Sequence, residues 1–166
     1  MLSVRGHLML REGAGPLPAL LRLLGIDSAR SENRQIGGTK ITHILFVEYQ
    51  TVFRQSASFL MDQQPDLEVV SQAGSVAEGR EKMAEGGIDA AIVDIPLPDG
   101  GALEMVRDLQ EANPSISVLV MTHIGDTEVH ERFLRAGASE VLDKGITFKE
   151  MLAAVRRLGR GRGRVE

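Results

Sequence analysis

The chain contains no cysteine, which excludes a disulfide framework, a thiolate metal centre, sulfur-linked cofactors and cysteine nucleophilic chemistry. Long hydrophobic runs are missing too. The most leucine-rich stretch, residues 17–26, is interrupted by Arg22 and falls short of the roughly 20 apolar residues that span a bilayer. It lies behind polar and glycine-containing sequence, and no small-residue cleavage pattern follows it, so a secretory signal is not expected. A protein without membrane association and with a cytoplasmic location is the resulting expectation. Nucleotide-cradling loops are the third absence: neither Gly-x-Gly-x-x-Gly nor a Walker-type Gly-Lys-Ser/Thr loop follows any strand candidate, which weighs against an enzyme or nucleotide-binding protein on this framework. Gln50 and Thr51 alone do not supply the hydroxyl-rich loop that a flavin would want.

Basic charge is scarce through the middle of the chain. Residues 1–40 carry six basic and three acidic side chains (+3), residues 41–154 eight and nineteen (−11), and residues 155–166 five and one (+4). An acidic body argues against a nucleic-acid face on the domain itself, because phosphate binding needs clustered Lys and Arg. Arg156, Arg157, Arg160, Arg162 and Arg164 form a basic end that an acidic partner could use. The simpler reading is a solvated helix end running into a Gly-Arg tail.

What is present is a core's worth of apolar sequence: 43% of 166 residues is hydrophobic, enough for one domain plus spare chain. Residues 1–40 hold Gly, Pro and Ser signals around one leucine-rich segment, residues 18–24, and read as an N-terminal extension with at most a short helix. From residue 41 the pattern becomes regular. Strand candidates are residues 44–47, 67–70, 90–93, 116–121 and 140–142, and helix candidates are residues 51–61, 76–86, 102–111, 127–136 and a last one carrying Met151, Leu152, Val155 and Leu158 on one stripe. That stripe leaves Arg156 and Arg157 to water. Ser75 can cap the second helix, residues 98–101 form a turn, Asn113 and Pro114 stop the third helix, and Gly137 ends the fourth. Met83, Met105, Met121 and Met151 sit at apolar positions and read as core. The domain is expected over residues 41–158, with a basic tail over residues 159–166.

Five short apolar strands alternating with five amphipathic helices indicate an α/β fold, a doubly wound parallel sheet covered on both faces. Chemistry in such sheets gathers beyond the carboxyl ends of the strands. The residues there are Glu48 and Tyr49 after the first strand, Asp94 after the third, Thr122 and His123 after the fourth and Lys144 after the fifth. That set suits phosphoryl transfer to a carboxylate. Asp94 is the nucleophile, Lys144 neutralises the transferring group, Thr122 donates to a phosphoryl oxygen, and a divalent cation completes the charge balance.

Five segments together, residues 44–48, 91–95, 97–100, 118–122 and 135–144, resemble the receiver domains of bacterial two-component response regulators. The resemblance covers residues 41–158. It implies a five-stranded flavodoxin-like receiver fold with strand order 2-1-3-4-5, Asp94 as phosphoacceptor, Thr122 as the switch hydroxyl, and Lys144 as the lysine that contacts the phosphoryl group. It implies Mg²⁺ held by Glu48, Asp94 and the Pro96 backbone carbonyl, a sensor histidine kinase or small phosphodonor as phosphate source, and a partner or self-association surface on the helix 4, strand 5, helix 5 face. The turn at residues 97–100 looks like the subgroup that commonly carries a helix-turn-helix output; no DNA-binding segment follows in this sequence, and no enzymatic turnover is expected.

Four positions depart from the pattern. Tyr49 stands where the family usually has a second acid, and a phenol is a poor ligand for a hard cation, so the Mg²⁺ site is expected to be weakened or lost. Val141 replaces a usual aromatic, Gly145 a frequent proline, and His123 a small residue; His123 could cover the pocket or bind a ligand there, and the simpler reading is a solvated loop histidine. Glu48 and Lys144 could also form an ion pair with no chemistry. Pro96 and Ile124 carry no group to orient a water, which implies slow loss of any phosphoryl group from Asp94. Two readings stand: a phosphorylation-dependent switch, and a pseudo-receiver that binds a protein or dimerises without phosphate.

Overall fold

The computed structural model describes residues 40–123, 125 and 127–160. The extension over residues 1–39, Ile124, Asp126 and the tail from residue 161 lie outside the described residues.

Apolar side chains with a period of two set the sheet. Strands β1 (Thr42–Val47), β2 (Leu67–Ala73), β3 (Ala90–Ile95), β4 (Ser117–Thr122) and β5 (Glu140–Asp143) form one sheet in the order β2-β1-β3-β4-β5, with parallel pairing throughout. Between them run α1 (Thr51–Asp62), α2 (Val76–Ala84), α3 (Ala102–Ala112) and α4 (Thr127–Arg135), and α5 (Phe148–Arg160) closes the chain. The expected architecture and strand order are both found. In β1, Leu45 and Val47 face one layer and Ile44 and Phe46 the other. The first pair joins Ala91, Val93, Val118 and Val120 under the helix side chains Val76, Met105, Leu109 and Phe133. The second joins Ile92, Leu119 and Met121 under Met61, Met151 and Val155. So α1 and α5 cover one face and α2, α3 and α4 the other, each buried aliphatic side chain contributing about 1.5–3 kcal/mol.

Local chemistry ends and starts the helices. The Ser75 hydroxyl accepts the Glu78 amide at 3.1 Å, and the Glu78 carboxylate accepts the Gly74 amide at 2.6 Å, a reciprocal cap on α2. Asp99, from the turn after β3, adds a second cap by accepting the Val76 and Ala77 amides at 2.9 and 3.0 Å. Gly137, just past α4, has φ of 110°, a conformation that disfavours any side chain.

Two expectations need correction. Strand β2 continues to Ala73, past the expected end at Val70. It is an edge strand paired only to β1, so its polar Ser71 and Gln72 can stay in the ladder, and a bulge opposite Ile44 and Leu45 leaves Val70 unpaired and 40% exposed. Arg156 is not wet. It forks onto Asp66 at 2.7 and 2.8 Å and reaches Gln64 at 3.0 Å, tying α5 to the loop before β2. Arg157 remains exposed, paired with Glu140 at 2.5 Å. Helix α5 runs to Arg160, and Gly159 lies against the Thr42 side chain with no room for a Cβ.

Candidate functional site

The ladder delivers the acidic rim. Pairing of Val47 with Val93 brings the ends of β1 and β3 together, and pairing of Ile95 with Thr122 and of Thr122 with Asp143 places β4 between Asp94 and Lys144. The Glu48 amide donates to the Ala73 carbonyl at 2.9 Å, and the Lys144 amide donates to the Thr122 carbonyl at 2.8 Å. Backbone bonds therefore fix Glu48 and Lys144 before any side chain meets.

The side chains are buried to an unusual degree for charged groups. Glu48 is 1%, Asp94 2% and Thr122 0% exposed. The Lys144 ammonium pairs directly with Asp94 Oδ1, which makes no other hydrogen bond among the described residues. Burial pulls the Lys144 ammonium below the ordinary lysine range, and the Glu48 carboxylate pulls it back up. Lys144 thus pairs with Asp94, and not with Glu48 as the alternative of a purely structural ion pair had it, while Glu48 acts on the ammonium through its field. Glu48 Oε1 is held by the Gln50 amide at 2.6 Å. The Arg54 guanidinium donates to the Glu48 carbonyl oxygen.

Tyr49 turns outward, 45% exposed, with its phenol oxygen accepting from the Gln50 side chain at 3.3 Å. His123 is exposed on the loop after β4, and Pro96 is exposed in the loop after β3. Val141 is half-buried against the layer under α2, α3 and α4. The Lys144–Gly145 peptide is trans, and the cis peptide among the described residues is Ile95–Pro96.

A hard divalent cation needs six or so oxygen ligands, several of them carboxylates. Among the described residues no group of three or more acidic or imidazole side chains gathers to hold a metal. Two carboxylates meet at the rim, Glu48 with one oxygen held by the Gln50 amide and Asp94 with one paired to Lys144, so the side chains alone supply fewer oxygens than such an ion takes.

Gln50 and Arg54 escaped the sequence reading. Both act through backbone groups of residues 48 and 50, which side-chain chemistry does not reveal. The spacing of Arg54, one turn into α1, is the one signal that could have suggested it.

The family model for the response regulator receiver domain matches residues 44–156. The chain belongs to this family. Its place is therefore in two-component signalling. The receiver is 34% identical over 119 residues to the DNA-binding transcriptional activator DevR/DosR of Mycobacterium tuberculosis, a match covering 72% of this chain and 55% of that protein. It spans about half the length of the curated relatives it matches. A LuxR-family two-component response regulator from Aurantimonas shares the fold at TM-score 0.69 and 23% identity, covering 74% of this receiver and 88% of that chain. So does a response regulator protein from Burkholderia pseudomallei that holds a phosphorylated aspartic acid, a calcium ion and citrate, at TM-score 0.64 and 19% identity, covering 71% and 68%. Among the described residues, no helix is long and apolar enough to cross a membrane.

Proposed function

We propose that this receiver accepts a phosphoryl group on Asp94 and that its cation site is weakened by Tyr49. The buried contact between Lys144 and Asp94 Oδ1 carries the reading. A carboxylate 2% exposed is costly unless paired, and its ion-pair partner among the described residues, Lys144, is the group that would neutralise a phosphoryl oxygen. Asp94 attacks the phosphorus of a phosphohistidine or an acyl phosphate; an O–P bond forms and the P–N or P–O bond to the donor breaks. The donor side chain or carboxylate leaves with the bonding electrons. Lys144 then shifts its charge from the carboxylate to the phosphoryl oxygens, and the Thr122 hydroxyl donates to one of them. A magnesium ion held by Glu48, Asp94 and the Pro96 carbonyl would neutralise the remaining negative charge. The chain acts as an acceptor and switch, and not as an enzyme with a turned-over substrate.

A sensor histidine kinase or a small phosphodonor supplies the group, and the α4, β5, α5 face signals the outcome. On that face Leu134 is exposed, Glu140 pairs with Arg157, and His130 Nε2 lies 3.5 Å from Asp143. The phosphorylated aspartic acid and bound calcium of the Burkholderia relative support this chemistry by family likeness. The short ligand set favours the second reading, a pseudo-receiver acting through protein contacts without phosphate. A magnesium and beryllofluoride titration followed by two-dimensional NMR separates the two. Saturable shifts of the Ile95, His123 and Gly145 amides, lost in Asp94→Asn, are expected. No shift at millimolar magnesium would leave the pseudo-receiver.

A further inference from the structure

Helix α1 carries an apolar stripe on its solvent side. Among the described residues seven large hydrophobic side chains are exposed, and five of them lie on this helix or its lead-in: Tyr49 (45%), Val52 (79%), Phe53 (44%), Phe59 (52%) and Leu60 (46%). With Ser56 between them, also exposed, they follow the spacing that lines up one helix face. Phe53 is braced from within, its ring edge-on to Phe46 at 6.4 Å. The stripe exposes on the order of 500 Å² of largely apolar surface, at the upper end of what a monomer's largest patch shows.

The two charges on α1 are both committed within the domain. Arg54 donates to the Glu48 carbonyl, and Asp62 accepts the Val69 amide at 2.7 Å. On a domain whose body is strongly acidic, this stripe is where two copies can meet without opposing like charges.

We infer that the α1 stripe is the interface of a two-fold homodimer, with α1 packed antiparallel to its copy and Ser56 at the axis. That register places Phe53 opposite Phe59 and Val52 opposite Leu60, with the small Ser56 side chain permitting helix approach at about 8–10 Å. Buried from both copies, the stripes give about 1,000 Å², the size at which specific interfaces begin. The Tyr49 side chain then has a use of its own: the residue that removes an acid from the cation site adds an aromatic ring to the interface rim.

Sedimentation velocity of the full chain from about 1 to about 100 μM tests this. The expected result is a concentration-dependent dimer, weakened at least about thirtyfold by Val52→Glu and unaffected by Leu134→Glu on α4. Because the chain has no cysteine, Ser56→Cys should crosslink across the axis under mild oxidation, while Gln72→Cys should not. A monomer throughout the range, which would leave the stripe to a partner of another kind, overturns the inference. A dimer dissolved by Leu134→Glu, or one that leaves Ser56→Cys uncrosslinked, overturns it as well.

Discussion

In the proposed reading Tyr49 stands where the receiver family usually has a second acid, and its side chain turns outward, 45% exposed. Restoring the acid should therefore restore cation affinity. Tyr49→Asp is expected to tighten magnesium binding about tenfold or more, read from the Ile95 and Gly145 amide shifts; unchanged affinity would show that Tyr49 is not the limiting residue. A second residue-scale expectation concerns acid. The amides of Val76 and Ala77 hold the Asp99 carboxyl below the ordinary aspartate value, and the Thr147 amide and hydroxyl do the same for Glu150. A depressed carboxyl binds fewer protons in the folded chain. Its stabilisation is complete above the ordinary carboxylate range and fades as pH falls through the lowered folded value. Asp99→Asn should flatten the acid limb of a melting-temperature profile below about pH 4, and an unchanged limb would contradict this role. Asp94, Thr122 and Lys144 were legible because strand ends declare themselves in the apolar pattern. Asp99 was read only as a turn former; that it also caps α2, 23 positions earlier in the chain, depends on loop geometry that no spacing encodes.

At the scale of elements, amphipathic periodicity carried most of the architecture, and edges carried the exceptions. Helix α5 shows both. Its stripe of Met151, Leu152 and Val155 is buried as its spacing implies, joined by Ala154, while Arg156 sits on the flank and finds Asp66 on a loop 90 residues earlier. Long-range partners of this kind are invisible to local pattern. The forked, half-buried pair anchors α5 beside β2, so Arg156→Ala should lower unfolding free energy by about 1 kcal/mol in urea denaturation, after allowance for solvent screening. An effect below a few tenths would mark the pair as ornamental. The bulge in β2 has a similar lesson: an edge strand tolerates polar residues in its ladder, so composition placed its end too early.

At the scale of the whole molecule, a sheet closed on both faces by helices holds three charged groups almost free of water, and that burial gives Lys144 and Asp94 their mutual dependence. The acceptor rim and the α1 stripe meet at Tyr49, while Val52, Ser56, Phe59 and Leu60 lie further along α1, so substitutions at those positions test association apart from phosphorylation. The residues of the rim were readable from the sequence; that Lys144 pairs with Asp94 and not with Glu48 was not, because Asp94 lies two strands and Glu48 three strands from β5 and the long lysine side chain leaves the choice to packing. The central claim is that Asp94 still accepts a phosphoryl group. Intact mass of the full chain after incubation with acetyl phosphate, at low and high magnesium, tests it most directly. A gain of one phosphoryl group that rises with magnesium, persists for minutes or longer after donor removal and vanishes in Asp94→Asn is the expected result. No mass gain at any magnesium concentration, with the folded chain intact, would contradict it.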